Sequence, residues 1–216
     1  MIQIKTFPFN PFQVNTYVLY DETGECVIID ASCYESFEEN LLKNFISDNK
    51  LTPVALLNTH CHIDHILGNN FIHEHFNLKP RTHKDGIAFL DNAREYGEAF
   101  GFKIKEPVRP ELFLEEGLLV TFGNQQLKVL ETPGHAAGSV CLYHVEENFV
   151  VAGDVLFQHS IGRTDLPTGD FQLLIKSIQE KLMILPGDTK VYCGHGPATT
   201  IDEEKNNNPF LNQEQA

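Results

Sequence analysis

No apolar run approaches the ~18–20 residues that a membrane span requires, so no membrane association is expected from this chain. Cations are scarce. Sixteen Lys and Arg stand against 30 Asp and Glu, a formal net charge of −14. Such a surface repels phosphate backbones and anionic lipid, which argues against nucleic acid as substrate or partner. Cysteine is sparse and unpatterned. Cys26, Cys33, Cys61, Cys141 and Cys193 are odd in number and form no Cys-x-x-Cys pair, so neither a disulfide framework nor a zinc ribbon is indicated. The first residues, Met1-Ile2-Gln3-Ile4-Lys5-Thr6, lack a basic stretch followed by an apolar block, and no secretory leader is expected. Reduced thiols and no leader point to the cytoplasm.

What remains is a composition of 42% hydrophobic and 21% charged residues over 216 positions, enough for one substantial soluble domain. Its densest chemistry is His60-Cys61-His62-Ile63-Asp64-His65, directly after the apolar run Val54-Ala55-Leu56-Leu57. That run is expected to be a buried strand, so the polar side chains emerge where a strand gives way to a loop. In extended backbone His60 and His62 point the same way. Asp64 and His65 diverge unless the chain turns into a helix there, and the apolar pairs Ile66-Leu67 and Phe71-Ile72 predict one over about 65–76. Two ligand pairs facing neighbouring points suggest two metal ions. Cys61, lying between two ligands, should face away from them.

Three further sites have the same character, a polar residue beside glycine at the end of an apolar strand. They are Pro133-Gly134-His135, Gly153-Asp154 and Gly194-His195-Gly196. Each alone is weak. With the first cluster they make five His and two Asp, about the number that two cations of four- to six-fold coordination need beside a shared solvent molecule. His and carboxylate donors without Cys suit zinc, and also iron or manganese.

Strands are predicted over 2–7, 14–20 and 26–30, then 53–58 with a short strand near 78–82, and again over 118–122, 126–131, 139–145, 148–153 and 190–193. Ser32 and Glu35 have capping-box spacing ahead of a helix whose apolar face would carry Phe37, Leu41, Leu42, Phe45 and Ile46, with Glu38 and Glu39 opposite. A helix from Phe171 would bury Leu174, Ile178 and Leu182. Residues 84–115, in which Asp85 is placed to cap a helix carrying Ile87, Phe89, Leu90, Ala93 and Tyr96, are expected to be an excursion: a lid, a substrate wall or a plain surface helix. One domain over 1–202 and a polar, surface-lying tail over 203–216 complete the expectation. The strand-then-helix order in each half suggests two αβ layers face to face with helices outside.

His60-Cys61-His62-Ile63-Asp64-His65 followed in order by His135, Asp154 and His195 resembles the metallo-β-lactamase superfamily. The resemblance runs from Asn10-Pro11-Phe12 to His195. It implies an αβ/βα four-layer sandwich with a metal site at one edge. It also implies one ion held by His60, His62 and His135, a second by Asp64, His65 and His195, and Asp154 bridging both. Within the superfamily, Thr132-Pro133-Gly134-His135, Gly153-Asp154-Val155-Leu156-Phe157 and Gly162-Arg163-Thr164-Asp165-Leu166-Pro167 are similar to the short glyoxalase II-like hydrolases. Glyoxalase II proper has a longer C-terminal helical region than the end at 216 accommodates, and often a lysine where Arg163 stands.

That resemblance implies metal-assisted hydrolysis of a small-molecule thioester such as a hydroxyacyl-glutathione, with Asp64 and Asp154 at the reacting centre. Arg163 would either hold a substrate carboxylate or pair internally with Asp165 or Asp170. The persulfide dioxygenases of the same superfamily share a Gly-Arg-Thr-Asp stretch, so a mononuclear iron oxygenase using two histidines and Asp154 is the alternative. A non-catalytic metal-stabilised module is disfavoured because all seven ligand positions are intact, and a nuclease because of the charge. Oligomeric state is not readable from the sequence.

Overall fold

Alternation along the strands decides the architecture. In the computed structural model, which describes residues 1–212, the first half contributes β1 (Gln3–Phe9), β2 (Val14–Tyr20), β3 (Glu25–Ile29), α1 (Ser36–Asp48), β4 (Thr52–Leu57), α2 (Ile63–Ile66), α3 (Asn69–Phe76), β5 (Pro80–Thr82), α4 (Ile87–Asp91), α5 (Ala93–Ala99) and β6 (Leu112–Phe113). The second half contributes β7 (Leu119–Phe122), β8 (Gln125–Glu131), β9 (Val140–His144), β10 (Phe149–Gly153), β11 (Leu156–Phe157), β12 (Ser160–Ile161), α6 (Phe171–Ser177), β13 (Lys190–Cys193), β14 (Thr199–Thr200) and α7 (Ile201–Asn207). Two six-stranded sheets result, ordered β1-β2-β3-β4-β5-β6 and β14-β13-β10-β9-β8-β7.

The odd residues of one register face the other sheet. Tyr17, Leu19, Val27, Ile29 and Leu57 meet Phe122, Val129, Leu142 and Val151 in the central core. Their sequence neighbours Val18, Cys26, Ile28 and Leu56 turn outward and are covered by Leu42 and Ile46 of α1 and Ile72 of α3. On the second sheet Val150, Ala152 and Val191 turn outward under Leu174, Ile178 and Leu182, which lie on α6 and its widened last turn, Ile178–Leu182. This is the expected αβ/βα sandwich. Each fully buried Leu or Ile contributes roughly 1.5–3 kcal/mol of transfer free energy, which favours this pairing of faces over any one-residue slip.

Strand direction then gathers the chain ends. The parallel pairings β3·β4, β4·β5 and β10·β13 align their carboxyl ends. β2 begins where β13 finishes, with Asn15 N–H donating to Gly194 O at 2.7 Å. One edge of the sandwich therefore collects the loops after β4, β8, β10 and β13. None of the described helices is long and apolar enough to cross a membrane.

Four expectations are corrected. The helix expected over 65–76 is two helices, α2 and α3, because the chain bends at Gly68 to dock on the loop after β3. Gly68 N–H donates to Ala31 O at 2.8 Å, and a side chain there would sit 2.9 Å from that oxygen. Asp85 does not start a helix. His83 caps the short 3-10 turn Lys84–Gly86 by accepting from Asp85 N–H, and Asp85 lies inside that turn. The polar tail expected over 203–216 is ordered up to Asn207 as α7, so the expected boundary after 202 falls inside a helix; residues 213–216 lie outside the described residues. Glu204 is buried there and accepts from Thr199 Oγ1 (2.6 Å), His159 N–H (2.9 Å) and Asn208 Nδ2 (2.8 Å). Hydropathy could not find this helix because polar groups fasten it.

The fourth correction concerns α1. Its N-cap is Glu35, not Ser32, and Ser32 instead bonds Thr16 at 2.7 Å. Glu38, expected to face solvent, is 6% exposed, while Phe37 and Leu41 are 69% and 52% exposed. The Glu38 carboxylate accepts from the backbone N–H groups of Asn10 (2.7 Å), Tyr34 (2.8 Å) and Glu35 (3.1 Å). Three backbone donors without a partner cost more than one exposed leucine can. Glu38→Ala is expected to lower stability by about 2–4 kcal/mol, and Leu41→Ala by less than about 1 kcal/mol. Urea denaturation of both variants checks this, and equal losses would contradict the packing.

Candidate metal centre

The backbone after each strand end delivers its donor by a different device. Extended residues 60–62 place His60 and His62 on one side, with ring centroids 4.7 Å apart. The short helix α2 then swings Asp64 and His65 to a second point, as the sequence pattern requires. His135 arrives from the turn after β8, Asp154 from the end of β10 and His195 from the end of β13. Gly194 matters here, since a Cβ at that position would collide with Asp154 Oδ1. Cys61 points away from the donors and bonds Thr82 Oγ1 at 3.0 Å.

All seven residues singled out in the sequence converge. His60, His62 and His135 bring one ligand atom each within 4.8 Å of one another, and so do Asp64, His65 and His195. His60, His65 and Asp154 form a third such group that overlaps both. Asp154 lies between the first two: Oδ1 is 3.3 Å from His65 Nε2, and Oδ2 is 3.4 Å from His195 Nε2 and 3.7 Å from His135 Nε2.

The test of whether cations fit is polar satisfaction. His60, His62, His65 and His135 Nε2 and Asp154 Oδ1 are buried with no hydrogen-bond partner. Left so, each costs about 1–3 kcal/mol, and native proteins seldom leave five such atoms together. Three rings of the centre are engaged through the opposite nitrogen. His65 Nδ1–H donates to Asp30 (3.0 Å), His135 Nδ1–H to Arg163 O (2.7 Å) and His195 Nδ1–H to Phe12 O (2.9 Å). Those bonds place the lone pair of each ring on the nitrogen facing the centre, as in metal sites.

Electrostatics agree. Burial, aided by His65, His62 and His135, holds His60 well below the usual imidazole range, and burial pushes His62 down to about 3. His135 is also lowered by burial. Burial opposes ionisation of Asp154, but His65 and His195 outweigh it and keep the carboxylate charged. His65 and His195 move the other way: burial opposes their charge, but Asp154, Asp64 and Asp30 raise His65 well above the usual imidazole range, and Asp154 and Asp64 push His195 up to about 9. A divalent cation at the centre would take the place of the protons on those two rings.

Sequence reasoning missed one residue. Asp30, buried at the end of β3 with φ +50°, accepts from Thr59 N–H (2.7 Å), Thr59 Oγ1 (2.6 Å) and His65 Nδ1. It is a carboxylate at a strand end, the same signal that singled out Asp154, and could have been found by it. Arg163, one of two alternatives in the sequence, pairs with Asp165 through Nε (2.7 Å) and Nη2 (2.6 Å); Asp170 instead caps α6, accepting from Leu173 N–H. The excursion is a wall: Phe89, Tyr96 and Phe100 line a cleft of about 350 Å³ over the donors, with Phe12, Leu166 and Pro167.

Residues 9–195 match the family model of the metallo-β-lactamase superfamily. The chain belongs to that superfamily. A probable metallo-hydrolase, YqgX of Bacillus subtilis (strain 168), is 37% identical over 209 residues, 96% of this chain and 97% of that one. The hydroxyacylglutathione hydrolase GloC of Haemophilus influenzae is 34% identical over 214 residues, 98% and 99% of the two chains. Among solved structures, the BLEG-1 B3 metallo-β-lactamase has a TM-score of 0.85 at 37% identity, covering 97% of this chain and 100% of that one. TTHA1623 in a di-iron-bound form also scores 0.85, at 35% identity over 96% and 100%. The metallo-β-lactamase fold and its His/Asp clusters together point to a metallo-hydrolase that takes divalent metal.

Asp30 makes the arrangement testable without turnover. Asp30→Asn keeps the shape but presents an amide where His65 Nδ1–H needs an acceptor. Affinity for zinc at the His65 group is expected to fall about 10–100-fold, read by equilibrium dialysis of the variant against wild type. Unchanged affinity would show that His65 needs no brace.

Proposed function

We propose that this protein hydrolyses thioesters of small acids with two divalent ions, zinc or else iron or manganese. The observation that carries the reading is the convergence of seven donors at the floor of a cleft that contains almost no other proton source. His60, His62 and His135 would hold one ion, Asp64, His65 and His195 the other, and Asp154 would serve both. When bound, the ions supply a water ionised near neutral pH and positive charge opposite a developing oxyanion.

The chain's own residues constrain the substrate. Phe12, Phe89, Tyr96 and Phe100 exclude water and offer an apolar bed for the substrate. Asp64 lines the cleft, with an oxygen 3.5 Å from His195 Nε2, and is the carboxylate placed to accept a proton from the attacking water. Every histidine of the cleft belongs to the donor set, a guanidinium does not release its proton, and Tyr96 carries the one hydroxyl among the described lining residues. A leaving group that needs protonation, such as an amine or alkoxide, would find little help. A thiolate, with a pKa of about 8.5, needs little. The name of the GloC relative supports the same class.

The oxygenase alternative would use three donors and leave the Asp64, His65 and His195 group idle, which weighs against it. The di-iron form of TTHA1623 keeps iron in consideration as the metal. Protein of measured metal content, assayed with lactoylglutathione and acyl-CoA, is expected to release thiol in proportion to bound metal. One iron per chain with O₂ uptake would overturn the hydrolase reading. His60→Ala and His195→Ala are each expected to lower turnover by about 10²-fold or more. Near-wild-type rates in either would remove that side chain from the centre.

A further inference from the structure

Two arms of the cleft meet at Arg163. One is the apolar arm under Phe89 and Phe100; the other, more open and of about 460 Å³, runs past Phe157, Gln158 and Ser160. Arg163 lines both, and among the described residues no other Lys or Arg lines either. It is therefore the one fixed cation with which these arms could draw in an anionic group of a substrate. Yet its Nε and Nη2 donate to the two oxygens of Asp165. The guanidinium in turn holds the Asp165 carboxyl down at about 2, so the partner stays ionised near neutral pH. A carboxylate two residues away is present at an effective concentration of about millimolar or above, which a dilute metabolite does not match. An incoming anion meets a matched charge and one of the fork's two bidentate edges already filled.

We infer that Asp165 determines specificity: by pairing with Arg163 it withdraws the cleft's carboxylate receptor, so that the thiol half of the thioester is recognised by apolar contact and not by negative charge. The inference rests on the hydrolase reading and narrows it to thioesters whose thiol half is uncharged near the reacting carbon.

The matched pair S-acetyl-N-acetylcysteine and S-acetyl-N-acetylcysteinamide differs only in a carboxylate against an amide. Metal-loaded wild type is expected to show kcat/KM values for the two within about threefold. Asp165→Asn is expected to raise the ratio of acid to amide about three- to tenfold. The gain should shrink at about 0.5 M NaCl and vanish in the double variant Arg163→Gln, Asp165→Asn. A ratio that Asp165→Asn leaves unmoved, or lowers, overturns the inference. Calorimetric binding of the corresponding S-ethyl thioethers separates the two readings. Acid affinity gained in Asp165→Asn, with neither thioester hydrolysed, supports Asp165 and overturns the hydrolase; hydrolysis with no such gain does the reverse.

Discussion

Four imidazole nitrogens and one carboxylate oxygen lie buried, side by side, without partners. A folded chain tolerates this when something outside the chain satisfies them together. Most of the site's geometry follows from holding those atoms in place. His60 is 1% exposed and His65 is fully buried, so neither ring can swing out to solvent and relieve itself. The fold must supply rigidity from behind, and it does so through the far nitrogens. Each backbone carbonyl or carboxylate that takes an Nδ1–H fixes both the tautomer and the ring plane.

Those braces come from separate parts of the sandwich. Asp30 ends β3, Phe12 sits in the β1–β2 turn, and Arg163 lies in the loop after β12. The Phe12 turn is itself anchored by Asn10, whose side-chain N–H groups donate to Ser32 O and Asp64 O, both at 3.0 Å. Thus the segment that orients His195 through its carbonyl also grips the helix that presents Asp64. Tyr17 adds a cross-sheet tie, its hydroxyl donating to Cys193 O at 2.6 Å. The centre is therefore assembled across the seam between the sheets, and a shift of one sheet against the other would disturb both donor groups at once.

The two sheets and the seven donors were legible in the sequence because each leaves a short-range signal. Short apolar runs in β3 and β10 mark strands buried on both faces, polar residues at strand ends mark the donors, and the i, i+2 spacing of His60 and His62 marks a shared direction. What escaped rests on polar atoms that spacing cannot rank. Glu38 looked like a solvent residue until three backbone N–H groups were found to point at it. Asp30 closes the predicted strand 26–30, and nothing in its spacing points to Thr59 or His65 as partners. α7 falls in the expected surface-lying tail because Glu204, its anchor, is of a residue type rarely buried. Position 37 shows the converse: a phenylalanine at helical spacing lies mostly exposed, because the face of α1 is set by where Glu38 must reach.

Charge completes the argument about chemistry. The protein carries −14, and the one guanidinium among the described residues lining the cleft is matched by Asp165. Unpaired positive potential in the cleft therefore comes from the donors and what they bind, at one point on its floor. A substrate that set a cluster of charges beside its reacting carbon would find no second cation in the cleft to receive them. A substrate that is nearly neutral around that carbon and becomes anionic there only under attack would meet that potential where its charge develops. Such an arrangement favours the transition state over the bound substrate, which is the condition for binding energy to raise turnover. A thioester lying against Phe89 and Phe100, with its carbonyl over the donors, meets that condition better than a phosphate or a nucleic acid.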